Sequence, residues 1–239
     1  MGTYLAVQTG LYLAAVGNET LLLASMVLLS ALLAASVLAG AFTESPPFRG
    51  FCLSVSVLAV FTFASLVLGG ALPPVVRDLL SYLLLGSSLV FLRSPSGAAR
   101  GLHLPPRPVL LKVALVAAPT GVALGALQVL IMPQASSFSG GGGWMGVLVA
   151  GSVAFVDEYF FRGVLQRHVE SETTANLGWS SVALVFAVFA APSGNATAIA
   201  FRVGVGAVLG LLVSRTRVVL LSCVARAVAA LLYGGFSAL

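Results

Sequence analysis

Long apolar runs separated by short polar breaks dominate the chain, and the runs set its elements. About 20 mostly apolar residues let a helix cross a bilayer. On that length the pattern predicts spans over 20–42, 51–72, 75–93, 109–132, 144–168 and 218–237. The apolar stretch 179–213 is too long for one span. Ala191-Pro192-Ser193-Gly194-Asn195 divides it, because neither proline nor glycine continues a helix well. The first half is short, so it is expected to be tilted, buried in the bundle or only partly spanning. The fold class that follows is all-α, a polytopic transmembrane bundle of about seven to eight spans. Residues 3–17 are apolar but short, and fit a short span, an interfacial helix or a re-entrant piece. The run from Leu21 to Phe42 follows no basic segment and exceeds the core of a signal peptide, so it reads as a retained span.

Composition agrees with this pattern. Hydrophobic residues make up 59% of the chain and charged residues 8%, with a mean hydropathy of +1.08. Soluble domains carry roughly 25% charged residues. The net charge of +5 comes from 11 arginines and a single lysine against 7 acids. If loop 94–108 is cytoplasmic, that side receives Arg49, Arg93, Arg100, Arg107, Lys112, Arg167, Arg215 and Arg217, and the other side receives Arg77 alone. This asymmetry is the positive-inside signal of an integral plasma-membrane protein. The uncharged loop 133–143 and the C-terminus then lie outside, while the side of the N-terminus depends on whether 3–17 crosses. The cations therefore read as orienting charge, and no nucleic-acid partner is expected.

The remaining motifs are mostly structural. Cys52 and Cys223 sit in apolar runs as small buried residues, with no CxxC pair or disulfide framework. Gly204, Gly206 and Gly210 form GxGxxxG, but no strand precedes it and no lysine follows, so it is not a nucleotide loop. Gly206 and Gly210 instead give the small-xxx-small spacing of closely packed membrane helices.

Five ionisable groups remain inside apolar runs: Asp157, Glu158, Arg162, Arg202 and Arg226. An intramembrane charge needs a partner, protonation or a water-filled cavity. Glu158 and Arg162 are four apart and share a helix face. Asp157 lies about 100° around from Glu158 on a regular helix. Arg162, near a helix end, is expected to be able to snorkel to the interface. Two readings follow from these residues alone: an interhelical salt-bridge knot, or a carboxylate that activates water in a membrane cavity. An acidic pair also suits a proton or cation pathway, although the nearby arginines oppose cation flux.

Asp157-Glu158-Tyr159-Phe160-Phe161-Arg162-Gly163 resembles the EExxxR-G signature of the CPBP family, which includes CAAX-processing endopeptidases and Abi-type membrane proteins. The resemblance continues in order. Gly101-Leu102-His103 resembles the loop before the core, and 181–191 (SVALVFAVFAA) the FxxxH helix. Residues 200–216 resemble the glycine-rich helix that ends in an "RT" turn. Residues 220–230 (LLSCVARAVAA) resemble the last core helix, with its HxxxN or HxxxD motif. The likeness covers 144–239 well and 95–143 loosely. It implies N-terminal helices and a cytoplasmic loop over 1–108, then an intramembrane-protease-like core over 109–239.

The same resemblance marks Asp157, Glu158 and Arg162 as the catalytic-motif positions. Phe186 keeps the motif phenylalanine. Ala190 and Arg226 stand where the family has histidines, and Ala230 stands where it has Asn or Asp. Alanine offers no ligand, and arginine stays protonated and serves neither as base nor as metal ligand. The chain's two histidines do not replace the lost ones: His168 lies ten residues beyond Glu158, and His103 is in a loop. No metal and no cofactor is expected. Arg226 is expected to face Asp157 and Glu158 and neutralise them; the alternative is that it snorkels. The resemblance thus implies a catalytically impaired pseudoprotease that binds the bilayer and either another membrane protein or a prenylated or membrane peptide, acting as a scaffold subunit. The alternative is an active intramembrane endopeptidase with Glu158 as general base. Arg202 fits the outer interface or the pocket, and Cys223 lacks a base to make it a nucleophile.

Overall fold

In the computed structural model of the chain, residues 19–69, 107–131, 144–190 and 196–236 are described, and every element among them is helical. The expectations for 3–17, 75–93, most of loop 94–108 with His103, loop 133–143 and the break at 191–195 lie outside these residues. The helices are α1 (Glu19–Phe42), α2 (Pro46–Gly69), α3 (Arg107–Ile131), α4 (Trp144–Glu158), α5 (Gln166–Glu172), α6 (Ala175–Ala190), α7 (Ala196–Thr216) and α8 (Val219–Phe236). α4 runs into α5 through a π-helical stretch, Tyr159–Leu165, so the span expected over 144–168 is one long rod continuing to Glu172. Two helices are long and apolar enough to cross a membrane on their described residues, Val113–Ile131 and Ala196–Thr216.

The outward face of α3 is apolar. Leu111, Leu115 and Leu130 are 64%, 65% and 78% exposed. In water that arrangement would be unfavourable, whereas in lipid it is the expected one. Its inward face carries Val113, Ala117, Gly121, Leu124 and Gln128, all buried. Lipid tails supply no hydrophobic drive between helices, so close backbone approach takes its place. Gly121 and Gly125 provide that approach to α8. A β-carbon added at Gly121 would come within 2.5 Å of the Ala225 carbonyl oxygen, and one at Gly125 within 3.0 Å of the Ala229 carbonyl oxygen. The same register makes α3 and α8 parallel.

The expected Gly206–Gly210 packing is present between α7 and α6. An added β-carbon at Gly206 would meet the Ala183 backbone at 3.1 Å, and one at Gly210 would meet the Trp179 β-carbon at 3.2 Å. This pair is antiparallel. Gly204 has open space around it, so it takes no part in the packing. Between α1 and α2, the Ser36 and Ser56 hydroxyls meet at 2.8 Å within the apolar interface. Gly50 at the start of α2 packs directly on the His168 imidazole of α5, where any β-carbon would overlap the ring.

These registers gather the α1–α2 turn, the end of α5, the α7–α8 turn and the start of α3 at one end of the bundle. There Ser45 donates to Glu172 at 3.3 Å, Arg49 donates to the Thr43 carbonyl at 2.8 Å, and Arg167 donates to the Arg217 carbonyl at 3.3 Å. Several of the cations that the sequence sorts onto one side therefore share one end. Deeper in, a core cluster joins Leu29, Leu58 and Phe61 of α1 and α2 to Phe160, Phe161 and Phe186. A second cluster fills the space between α3, α7 and α8.

Candidate functional site

The site is built on the π-helical stretch. All seven of its residues are buried, and its last turn closes with the Gln166 N–H donating to the Phe161 carbonyl, a step of five. This corrects the regular-helix geometry expected for FVDEYFFRGVLQ. Single π turns often mark functional positions, and this one begins directly after Asp157 and Glu158. At Gly163 an added β-carbon would crowd the Tyr159 ring at 3.3 Å, so the wide turn is tightly packed against its own aromatic. Phe155 and Tyr159 stack at 6.1 Å, and Phe161 meets Phe186 edge-on at 5.3 Å.

Within this aromatic shell, Glu158 and Arg162 are both 0% exposed, and Arg162 Nε lies 3.5 Å from Glu158 Oε2. Arg162 does not reach the interface, because its pairing with Glu158 and its packing under α7 hold it inside. That overturns the snorkelling expectation. The Arg162 guanidinium also stacks over the Phe186 ring at 5.4 Å from the centroid, a favourable use of the ring quadrupole. Arg226 approaches the same ring at 5.7 Å. Its charge acts on both Glu158 and Arg162. Ser222 stands beside Glu158, with its hydroxyl donating to the Val219 carbonyl at 2.9 Å.

The ion pair that Glu158 makes among the described residues is thus with Arg162, while Arg226 is held on the phenylalanine face. Asp157 is 4% exposed and also lies inside the bundle. Ala230 is half-buried one turn beyond Arg226 on α8, and Ala190 ends α6. Cys223 is buried, its thiol 3.9 Å from the Phe155 carbonyl. Arg202 is half-buried on α7. His168 is buried on α5, with Nδ1 2.9 Å from the Val164 carbonyl oxygen and its ring against Gly50. It belongs to the α2–α5 contact and not to the carboxylates. Among the described residues no group of three His, Cys, Asp or Glu side chains could hold a metal ion. Ala190 and Arg226 likewise do not fit a histidine-based centre.

Sequence reasoning missed Gln166. It is 1% exposed, and its side-chain amide donates to Glu170 Oε1 at 2.8 Å and to the Gly210 carbonyl at 3.0 Å. Glu170 in turn pairs with Arg217 in the α7–α8 turn. The signal was available: 158, 162 and 166 are polar positions at helical spacing in an otherwise apolar run. Gly210 is indispensable here, because an added β-carbon would sit 3.2 Å from Arg162 Nη1 and 3.3 Å from Gln166 Oε1. Gln166→Ala is expected to cost about 1–3 kcal/mol, the usual penalty for stranding a buried polar partner. Thermal unfolding in detergent measures it, and an unchanged midpoint would mean these bonds carry no stability.

A helical membrane protein whose core holds a sealed glutamate–arginine pair on a π turn is the class that this geometry defines. Residues 140–232 match the family model described as type II CAAX prenyl endopeptidase Rce1-like, so this part of the chain is similar to that CAAX protease-like family. The matched segment contains every residue of the cluster above. Neither the curated proteins nor the solved structures gave a match.

Proposed function

We propose that this CAAX protease-like membrane protein is a catalytically silent member of its family and acts as a binding or scaffold subunit for another membrane protein. In this reading the chain is a multi-pass bundle of seven to eight spans in the plasma membrane, with loop 94–108 on the cytoplasmic side. The observation that carries it is the state of Glu158. Its carboxylate is wholly buried and spent on Arg162, with a second guanidinium on the same aromatic plate. A general base must reach the proton it removes within hydrogen-bond distance, directly or through one water. A buried carboxylate held by a guanidinium is poorly placed for that work. Ala190 and Arg226 add no general base and no metal ligand.

One observation favours an active endopeptidase with Glu158 as base. Among the described residues Glu158 holds Arg162 as an ion pair at 3.5 Å, and neither carboxylate oxygen accepts a hydrogen bond of ordinary geometry despite its burial, which leaves lone pairs for a water molecule. Reconstitution with prenylated and unprenylated peptides separates the two readings. The wild-type chain is expected to cleave none of them above empty liposomes and to co-purify with a partner in fixed ratio. Cleavage by the wild type that disappears in a folded Glu158→Gln variant would overturn the proposal.

A further inference from the structure

The turn between α7 and α8 concentrates positive charge where the long apolar helix α7 ends. Arg215 is exposed and makes no hydrogen bond or ion pair among the described residues. The Arg217 side chain is 64% exposed, and Arg167 reaches the Arg217 carbonyl from α5 at 3.3 Å. Among the described residues the acid that pairs with this group is Glu170, which meets Arg217, and its own side chain is only 7% exposed. The charge presented outward is therefore cationic.

The turn is also held in shape. Arg217 adopts a φ of 61°, the left-handed region, and its N–H donates to the Val213 carbonyl at 2.7 Å, closing α7. The Thr216 hydroxyl donates to the Leu212 carbonyl at 2.7 Å and accepts from the Val218 N–H at 3.4 Å. The 18-residue helix α8 begins immediately afterwards at Val219, so its dipole adds to the positive potential at this spot.

We propose that Arg215, Arg217 and Arg167 with the start of α8 form a binding site for the phosphate of an anionic phospholipid headgroup. Its place at the end of a membrane-length helix puts the cations at headgroup depth, and charge complementarity selects a lipid with a net negative head over a zwitterionic one. Glu170 keeps Arg217 oriented and leaves Arg215 to meet the headgroup. The site involves no peptide, so it stands apart from the question of proteolysis.

Native mass spectrometry of the full chain in mixed micelles tests this, with phosphatidylglycerol or phosphatidylcholine titrated in. Phosphatidylglycerol is expected to be retained preferentially. Arg215→Gln removes one unpaired exposed cation without disturbing the turn, and should weaken phosphatidylglycerol binding about fivefold while leaving phosphatidylcholine unchanged. Arg49→Gln, a cation at the same end but outside the turn, should leave both unchanged. Equal retention of the two lipids would overturn the site, as would an equal loss in Arg49→Gln, which would indicate diffuse surface charge. Displacement of the lipid by excess inorganic phosphate would reassign the pocket to a soluble anion.

Discussion

Arg162→Ala is expected to lower stability by about 3–5 kcal/mol, the range for removing one partner of a buried ion pair. Glu158 is fully buried with Arg162 as its ion-pair partner, so the truncation strands a carboxylate in the bundle and also empties one contact of Phe186. Arg226 acts on Glu158 from the Phe186 face, but its contact there leaves it in a different place from the lost guanidinium. Replacing both partners with apolar residues of similar size, Glu158→Leu with Arg162→Met, removes the charge together with its counter-charge. The double variant should therefore recover most of the loss, because buried pairs are often no better than well-packed apolar replacements. Chemical unfolding in detergent compares the three proteins. If the double variant is as unstable as the single one, the pair does not account for the effect. Full recovery would locate the role of the pair in specifying function or register, and not in holding the bundle together.

The second large effect is steric. Gly121→Ala should cost about 1–3 kcal/mol and Gly121→Leu more, because well-packed interiors absorb extra carbons badly. The added carbon would press on the Ala225 carbonyl oxygen and lie 2.7 Å from the Val228 β-carbon, both on α8. Gly204→Ala is the matched control: nothing lies within 4 Å of its added carbon, and alanine suits a helix better than glycine by up to about 1 kcal/mol. Opposite signs at the two positions are expected in the same unfolding assay. A loss at Gly204 equal to that at Gly121 would mean that glycine itself matters here, and not the α3–α8 contact.

Helix positions were legible in the sequence because apolar run length is a strong signal in membrane proteins. The start of α3 and the small-residue face of Gly206 and Gly210 both follow from local composition. The π turn was not legible. Nothing in YFFRGVL announces a step of five, because that geometry depends on how Phe160, Phe161 and Gly163 settle among neighbouring helices. The close approach at Gly121 and Gly125 was not legible, because their partner on α8 is a tertiary fact. Phe186 stood out only as a retained motif residue. That it carries two guanidiniums required three helices to be placed together. The burial of Arg162 was missed for a related reason. An arginine near a helix end snorkels when it is free, and this one is tied to Glu158.

The π-helical stretch Tyr159–Leu165 also constrains what can happen to this chain by insertion or deletion. A wide turn stores one residue more than a regular one. Relaxing Tyr159–Leu165 to ordinary periodicity at unchanged length would turn the two halves of the rod by about 100° relative to each other. Asp157 and Glu158 would then leave the face shared with Gln166, while the aromatic surroundings stayed where they are. Losing one residue together with the wide turn would instead leave the two halves in phase. The stretch therefore acts as a phase-setter for the rod, in which length and turn geometry must change together.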